Sequence, residues 1–241
     1  MNERVQAAIR ELVVANRILG NEGVVDAFGH ISLRHPENAG RYFLACSRAP
    51  NLVTEDDIVE FDLDSNRLDG TNRAIYAERF IHGCLYKARP DVMSVCHSHA
   101  HAVVPFTVTN TPIEPIWVMA SGSGSNVPNW DIRDEFPNEG TMLVVNDATG
   151  QSLACKLGAG RVCLLRGHGA VIVQRRDADP GAHAVAGPRR CRGEASQPCR
   201  DREHEQDIAR AAGTRPRLGI LARARGLPGK RRVAYSTASN R

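Results

Sequence analysis

Along residues 5–19 the apolar positions Val5, Ala8, Ile9, Leu12, Val13 and Ile18 recur at helical spacing, and Gly20 with Gly23 supplies a stop. The chain is therefore predicted to open with an amphipathic helix. Three short β-like runs follow, at residues 29–34, 41–46 and 58–63, separated by a Pro/Asn/Gly turn and closed by Asp64-Ser65-Asn66. They read as a meander of antiparallel strands. Helical periodicity returns over residues 77–88, with Phe80, Ile81, Cys84 and Leu85 on one side, until Arg89-Pro90 ends it. Residues 92–96 then form a short buried strand that runs into His97-Ser98-His99-Ala100-His101, and Pro105 keeps any helix over 102–108 short. Beyond a Gly/Ser/Asn loop at 121–129, residues 141–145 and 161–165 look like strands, and the second leads through Gly167-His168-Gly169 into a strand over 170–173.

After Val173 the pattern stops. Residues 174–232 are rich in Arg, Pro, Gly and Ala, with few large apolar residues at either period. Of the 31 Lys and Arg, 16 lie after Val173, against 7 of the 27 Asp and Glu, so the patterned part is net acidic and the overall charge of +4 belongs to the tail. The chain is divided accordingly into a catalytic domain, residues 1–173, and an atypical tail, residues 174–241. A segment of that composition with so abrupt a start is what an out-of-frame reading of GC-rich coding DNA, or a disordered extension, would give. Its arginines attract phosphate, but without interleaved aromatic residues or a recognisable binding fold no nucleic-acid partner is expected.

A basic n-region followed by an apolar run is absent from the first residues, and no stretch is long enough to cross a bilayer, so a soluble, cytoplasmic protein with no membrane partner is expected. The 7 cysteines are odd in number and scattered, which argues against a disulfide framework.

Candidate chemistry sits at strand ends. Alternate side chains of a strand share a face, so His97 and His99 project together and can bind one metal ion. A third ligand can come from His168, whose flanking Gly167 and Gly169 allow close backbone approach. Three neutral imidazoles leave coordination positions open for substrate oxygens, and Zn²⁺, Mn²⁺, Fe²⁺ and Co²⁺ all fit such a set. Taken alone, His-x-His is common by chance, Glu78 is an ordinary helix carboxylate, and His82 and His101 are structural or solvated, His101 being at best a spare ligand.

Taken together these residues resemble a known family. Glu78-Arg79-Phe80-Ile81-His82, then Tyr86, Arg89-Pro90-Asp91, Val95-Cys96-His97-Ser98-His99-Ala100 and the distant Gly167-His168-Gly169 are similar to the class II aldolase/adducin family over about residues 5–173. The resemblance implies an α/β fold of three layers, α/β/α, with a central, mostly antiparallel sheet flanked by helices. It also implies a divalent metal held by His97, His99 and His168, with Glu78 beside it moving protons, in a homo-oligomer.

Within the family the chain is more similar to aromatic-acid decarboxylases than to sugar-phosphate aldolases. It has Gly29-His30-Ile31-Ser32 where aldolases carry Asn in the second position, and Ser47-Arg48-Ala49-Pro50 in place of a small Ser/Gly phosphate loop. Trp130-Asp131-Ile132-Arg133-Asp134 is similar to the same branch. Arg makes a bidentate fork to a carboxylate, so His30, Ser47 and Arg48 form the expected substrate-binding set for a small aromatic acid. Surface or structural ion pairs are the competing explanation for Arg48 and Arg133. Losing CO₂ from a ring requires an electron sink, which a metal bound to an ortho hydroxyl provides, with Glu78 at a raised pKa returning the proton. The alternatives are aldol cleavage or epimerisation of a sugar phosphate on the same metal, or a non-catalytic adducin-like interaction module.

Overall fold

The computed structural model describes residues 2–176 except 110, 125 and 139. Its first helix, α1 (Glu3–Asn21), is capped by the Asn2 side chain, which accepts from the Arg4 amide. Leu12 and Ile9 of α1 pack with Phe43 and the partly buried Ile31 and Leu33, covering one face of the sheet. That sheet has seven strands: β1 (His30–Arg34), β2 (Arg41–Ala45), β3 (Ile58–Asp62), β4 (Val92–Ser98), β5 (Asn129–Trp130), β6 (Val162–Leu165) and β7 (Gly169–Arg175). Their order is β3-β2-β1-β4-β7-β6-β5, and every neighbouring pair is antiparallel except β5 with β6. The predicted meander is the β1-β2-β3 edge of this sheet.

On the other face lie α2 (Arg79–Ala88) and α4 (Asp147–Leu157), with the short α3 (Val104–Val108) near β7. Ile81, Leu85 and Tyr86 of α2 and Leu153 and Leu157 of α4 join the sheet's Tyr42, Leu44, Val95 and Val171 in the main core. The three-layer arrangement expected from the sequence is thus present. Arg34 ties the layers: its guanidinium, 3% exposed, donates to the carbonyls of Val92, Ala39, Tyr86 and Arg89, closing the carboxyl end of α2 against the start of β4.

Three local expectations are corrected. Residues 141–145 are not a strand; their backbone groups are drawn instead to side chains, Val144 donating to Glu78 and Met142 accepting from His168. Helix α4 went unrecognised because polar and small residues (Thr149, Gly150, Ser152) fill much of its buried side, which blurs the apolar period. Its N-cap Asn146, accepting from the Thr149 amide at 2.9 Å, was the available signal. The last strand, expected over 170–173, runs from Gly169 through Gln174 and Arg175, whereas the tail from residue 177 onward lies outside the described residues. Among the described residues no helix is long and apolar enough to cross a membrane.

Candidate metal centre

Four elements meet at one end of the sheet. His97 lies inside β4, paired across the sheet with His30 on β1 and Val171 on β7. His99 falls just beyond the end of β4 rather than in it. His168 sits in the three-residue connection between β6 and β7, where Gly167 takes φ +67° to make the turn and the amide of His168 donates to the Leu165 carbonyl. Gly169 lets β7 touch β4: a Cβ there would lie 2.2 Å from the carbonyl oxygen of Ser98. Glu78 is not on the helix, as the sequence suggested, but at the N-cap of α2. Its side chain does not cap the helix; Oε1 accepts from the Val144 amide at 3.0 Å, which leaves Oε2 directed at the imidazoles.

The distances bring these four side chains together. Nε2 of His99 is 2.9 Å from Nε2 of His97 and 3.1 Å from Nε2 of His168, and Glu78 Oε2 is 3.4 Å from the first partner and 3.5 Å from the second. One donor atom from each residue lies within 4.8 Å of all the others. Behind them, every Nδ1 faces an oxygen: the Ala170 carbonyl for His97 at 3.2 Å, the Met142 carbonyl for His168 at 3.1 Å and the Asp26 carboxylate for His99 at 3.1 Å. Those oxygens only accept, so the ring protons belong on Nδ1 and the three Nε2 lone pairs converge. Converging lone pairs repel one another unless a cation lies between them. Donors about 2.0–2.1 Å from a single ion at tetrahedral angles stand roughly 3.4 Å apart, close to the spacing seen. The donor set therefore fits a divalent metal, with the outer oxygens fixing tautomer and ring orientation.

Charge favours the same conclusion. Burial alone would raise the Glu78 carboxyl, but hydrogen bonds from His168 and His97, whose Nε2 atoms carry a proton when no cation lies between them, and the resulting positive charge outweigh it and hold the group well below the usual carboxylate range. A bound cation acts in the same direction. The raised pKa expected for Glu78 is thus overturned: the group rests as an anion. Burial likewise lowers His97, against the pull of Glu78. Asp26, which the sequence reading missed, is opposed by desolvation yet held below its ordinary value by the amides of Phe28 and Gly29 and by His99. Its loop is anchored by Ser98, whose hydroxyl donates to the Val24 carbonyl. The short spacing of Asp26 from Gly29-His30 was the only cue to it.

The remaining predicted residues are distributed unevenly. His30 is 1% exposed, its ring 5.2 Å from that of His97 and 4.4 Å from that of Tyr76. Tyr76, also missed, donates to the Arg48 carbonyl at 2.5 Å, which fixes the 47–48 loop near His30. Ser47 is exposed, its amide held by the Ala74 carbonyl. The half-exposed Arg48 guanidinium makes two long contacts with Asp57, both 3.4 Å, and is not part of the cluster. Arg133 forks onto Asp131, and the exposed His101 lies outside the four-residue group.

The chain is similar to known proteins. Residues 10–186 match the model of the class II aldolase and adducin N-terminal domain. Decarboxylase tropJ of Talaromyces stipitatus is 34% identical over 185 residues, 72% of this chain and 70% of the relative. The 3,4-dihydroxyphthalate decarboxylase of Arthrobacter keyseri is 31% identical over 174 residues, 68% of each. Among solved structures, L-fuculose 1-phosphate aldolase from Glaciozyma antarctica is 25% identical with a TM-score of 0.56, covering 70% of this chain, which spans only 64% of that one. Decarboxylases and aldolases are both lyases. With the matched domain covering most of the chain and the four motif residues converging as the resemblance implied, this protein belongs to the class II aldolase/adducin family.

Proposed function

We propose that this protein is a metal-dependent decarboxylase of a hydroxylated aromatic mono- or dicarboxylic acid, of which 3,4-dihydroxyphthalate is the representative substrate. The observation that carries this reading is the convergence of three Nε2 lone pairs beside an anionic Glu78, in a chain similar to two decarboxylases. A divalent ion held by His97, His99 and His168 would supply Lewis acidity, drawing electrons from the ring as CO₂ departs. Zinc, manganese, iron and cobalt all suit these donors.

The protein's own groups handle the proton. Oε2 of Glu78 takes the proton of the ring hydroxyl ortho to the departing carboxylate, leaving a phenolate. Breaking the ring–carboxylate bond releases CO₂ and leaves its electron pair on the ring carbon. Oε2 then returns the same proton to that carbon, and the product's phenolate takes up one proton from solvent, so the net change is exchange of carboxylate for hydrogen with one proton consumed. A depressed pKa suits the first half of this cycle, and the Val144 amide on Oε1 keeps Oε2 as the atom that moves the proton. His30 and Ser47 orient a carboxylate, and Arg48, whose two contacts with Asp57 are long, has donors to spare for a second one.

The likeness to L-fuculose 1-phosphate aldolase supports a second reading, in which the same groups cleave or epimerise a sugar phosphate through an enediolate. CO₂ release from a panel of ortho-hydroxy aromatic acids, run beside aldehyde release from fuculose and ribulose phosphates, separates the two. Turnover of the sugar phosphates alone refutes the decarboxylase assignment. The active form is assigned as a cytoplasmic homo-oligomer, which light scattering on the purified protein checks for assembly.

A further inference from the structure

Behind the metal centre runs a buried line of polar side chains of which the chemistry above uses only His30. His30 and Ser32 are two apart on β1 and share a face; His82 and Tyr86 are four apart on α2 and share one also. Packed together they form a chain: Tyr86 Oη to Ser32 Oγ at 2.8 Å, Ser32 Oγ to His82 Nδ1 at 2.6 Å, and His82 Nε2 to His30 Nδ1 at 2.7 Å. All four are at most 1% exposed.

Each of these bonds holds one proton, so the chain has only two polarities. In one, Tyr86 donates to Ser32, Ser32 to His82, and His82 through Nε2–H to His30 Nδ1, leaving the His30 proton on Nε2. In the other every bond reverses, and the Tyr86 hydroxyl must donate to the Met93 carbonyl, 3.5 Å away. A phenol gives its proton to the acceptor at 2.8 Å rather than to one at 3.5 Å, which selects the first polarity. Both imidazoles are at most 1% exposed, and burial disfavours their charged forms, so both stay neutral. Tyr86 is itself sealed in the core, so the line ends there and cannot conduct protons to solvent.

The far edge of His30 is the consequence. Its Nε2 has no hydrogen-bond partner among the described residues, and since the fully buried side-chain atom without a partner among those residues is Asn129 Oδ1, Nε2 is not fully sealed. With Nδ1 turned to His82, Nε2 is on the opposite edge of a ring that stands 5.2 Å from that of His97 and 4.4 Å from that of Tyr76, next to the metal centre.

We propose that Tyr86, Ser32 and His82 form a tautomer lock on His30, keeping its proton on Nε2 so that the site presents an N–H donor, and not a lone pair, to an anionic substrate oxygen. His82 and Ser32 are positioning residues that act through His30. The nature of the oxygen, a carboxylate or phenolate of an aromatic acid, rests on the decarboxylase reading; the lock does not.

Two-bond proton–nitrogen spectra of the zinc-loaded, ¹⁵N-histidine-labelled full chain, with His30 identified from the His30→Asn variant, report the tautomer directly. The expected pattern is a protonated Nε2 and a bare Nδ1 on His30, turning to a mixture in Ser32→Ala. Metal content stays at the wild-type level in that variant, while KM for 3,4-dihydroxyphthalate rises by the reciprocal of the fraction left in the Nε2–H tautomer, about 2-fold for an even mixture, with kcat little changed. Tyr86→Phe, which leaves the Ser32 hydroxyl free to donate to His82, shifts KM less. A wild-type His30 protonated on Nδ1 overturns the lock, and so does a Ser32→Ala protein whose tautomer and KM match the wild type. A wild type with the expected tautomer but no turnover of any aromatic acid refutes the decarboxylase reading and upholds the lock.

Discussion

Replacing Gly169 by alanine tests how tightly the strand carrying His168 is pressed against the strand carrying His97. The new Cβ would lie 2.2 Å from the Ser98 carbonyl oxygen, 3.1 Å from its carbon and 3.2 Å from Cδ2 of His99. Backbone cannot swing aside as a flexible side chain can, so β4 and β7 must part by about 1 Å where interiors are close-packed. Overpacking of this kind costs about 1–3 kcal/mol, offset by about 0.4–1 kcal/mol from the lower entropy of the unfolded alanine chain. Gly167→Ala is the control. Its φ of +67° charges an L-residue about 1–2 kcal/mol, but its nearest neighbour is the end of Met142, Sδ at 3.5 Å, so nothing at the site has to move. Urea unfolding with calorimetric metal titration separates the two: both variants lose stability, but only Gly169→Ala also loses more than about 10-fold in metal affinity. Equal metal affinities in the two variants would refute the claim that the β4-β7 contact sets the ligand geometry.

Asp26→Asn removes the carboxylate behind His99 while keeping an oxygen for the Phe28 and Gly29 amides, and is expected to weaken metal binding about 10- to 100-fold; unchanged affinity in a competition titration contradicts this. Glu78→Gln can still accept from Val144, so it should retain metal and fold while losing about 10²–10⁴ in turnover, and a variant of full activity would remove Glu78 from the proton-transfer role. His82 is pushed down to about 3, chiefly by burial, against about 6.5 when unfolded. Between these values the unfolded chain binds the extra proton, so stability is complete above pH 6.5 and is lost as pH falls, by about 2 kcal/mol at pH 5 from this residue. Denaturant midpoints from pH 7 to 5 should fall more steeply in the wild type than in His82→Phe, and equal slopes would contradict the assignment.

Much of this candidate site was legible because its residues are local in sequence or flagged by glycine. His97 and His99 announce themselves by spacing, and Gly167 and Gly169 mark a turn and a close approach that the structure contains. The β1-β2-β3 meander and the first two long helices followed their apolar periods. What stayed hidden depends on contacts between distant segments. Asp26 reaches His99 only because Ser98 holds its loop, and residues 141–145 look like a strand until their backbone is seen bound to Glu78 and His168. Glu78 is legible from its motif as a candidate, but the direction of its pKa shift is not, because that depends on the imidazoles that surround it as well as on burial. His82 reads from the sequence as structural or solvated, since nothing in its own helix reveals that it faces His30 across to β1.

The most direct test of the metal centre is calorimetric titration of chelator-stripped protein with a divalent ion, zinc or manganese, followed by the CO₂ assay on the same sample. One ion bound per chain, restored release of CO₂ from an ortho-hydroxy aromatic acid, and loss of both in His168→Ala are the expected results. Binding that is absent, or that survives in His168→Ala, contradicts the assignment of His97, His99 and His168 as the ligands.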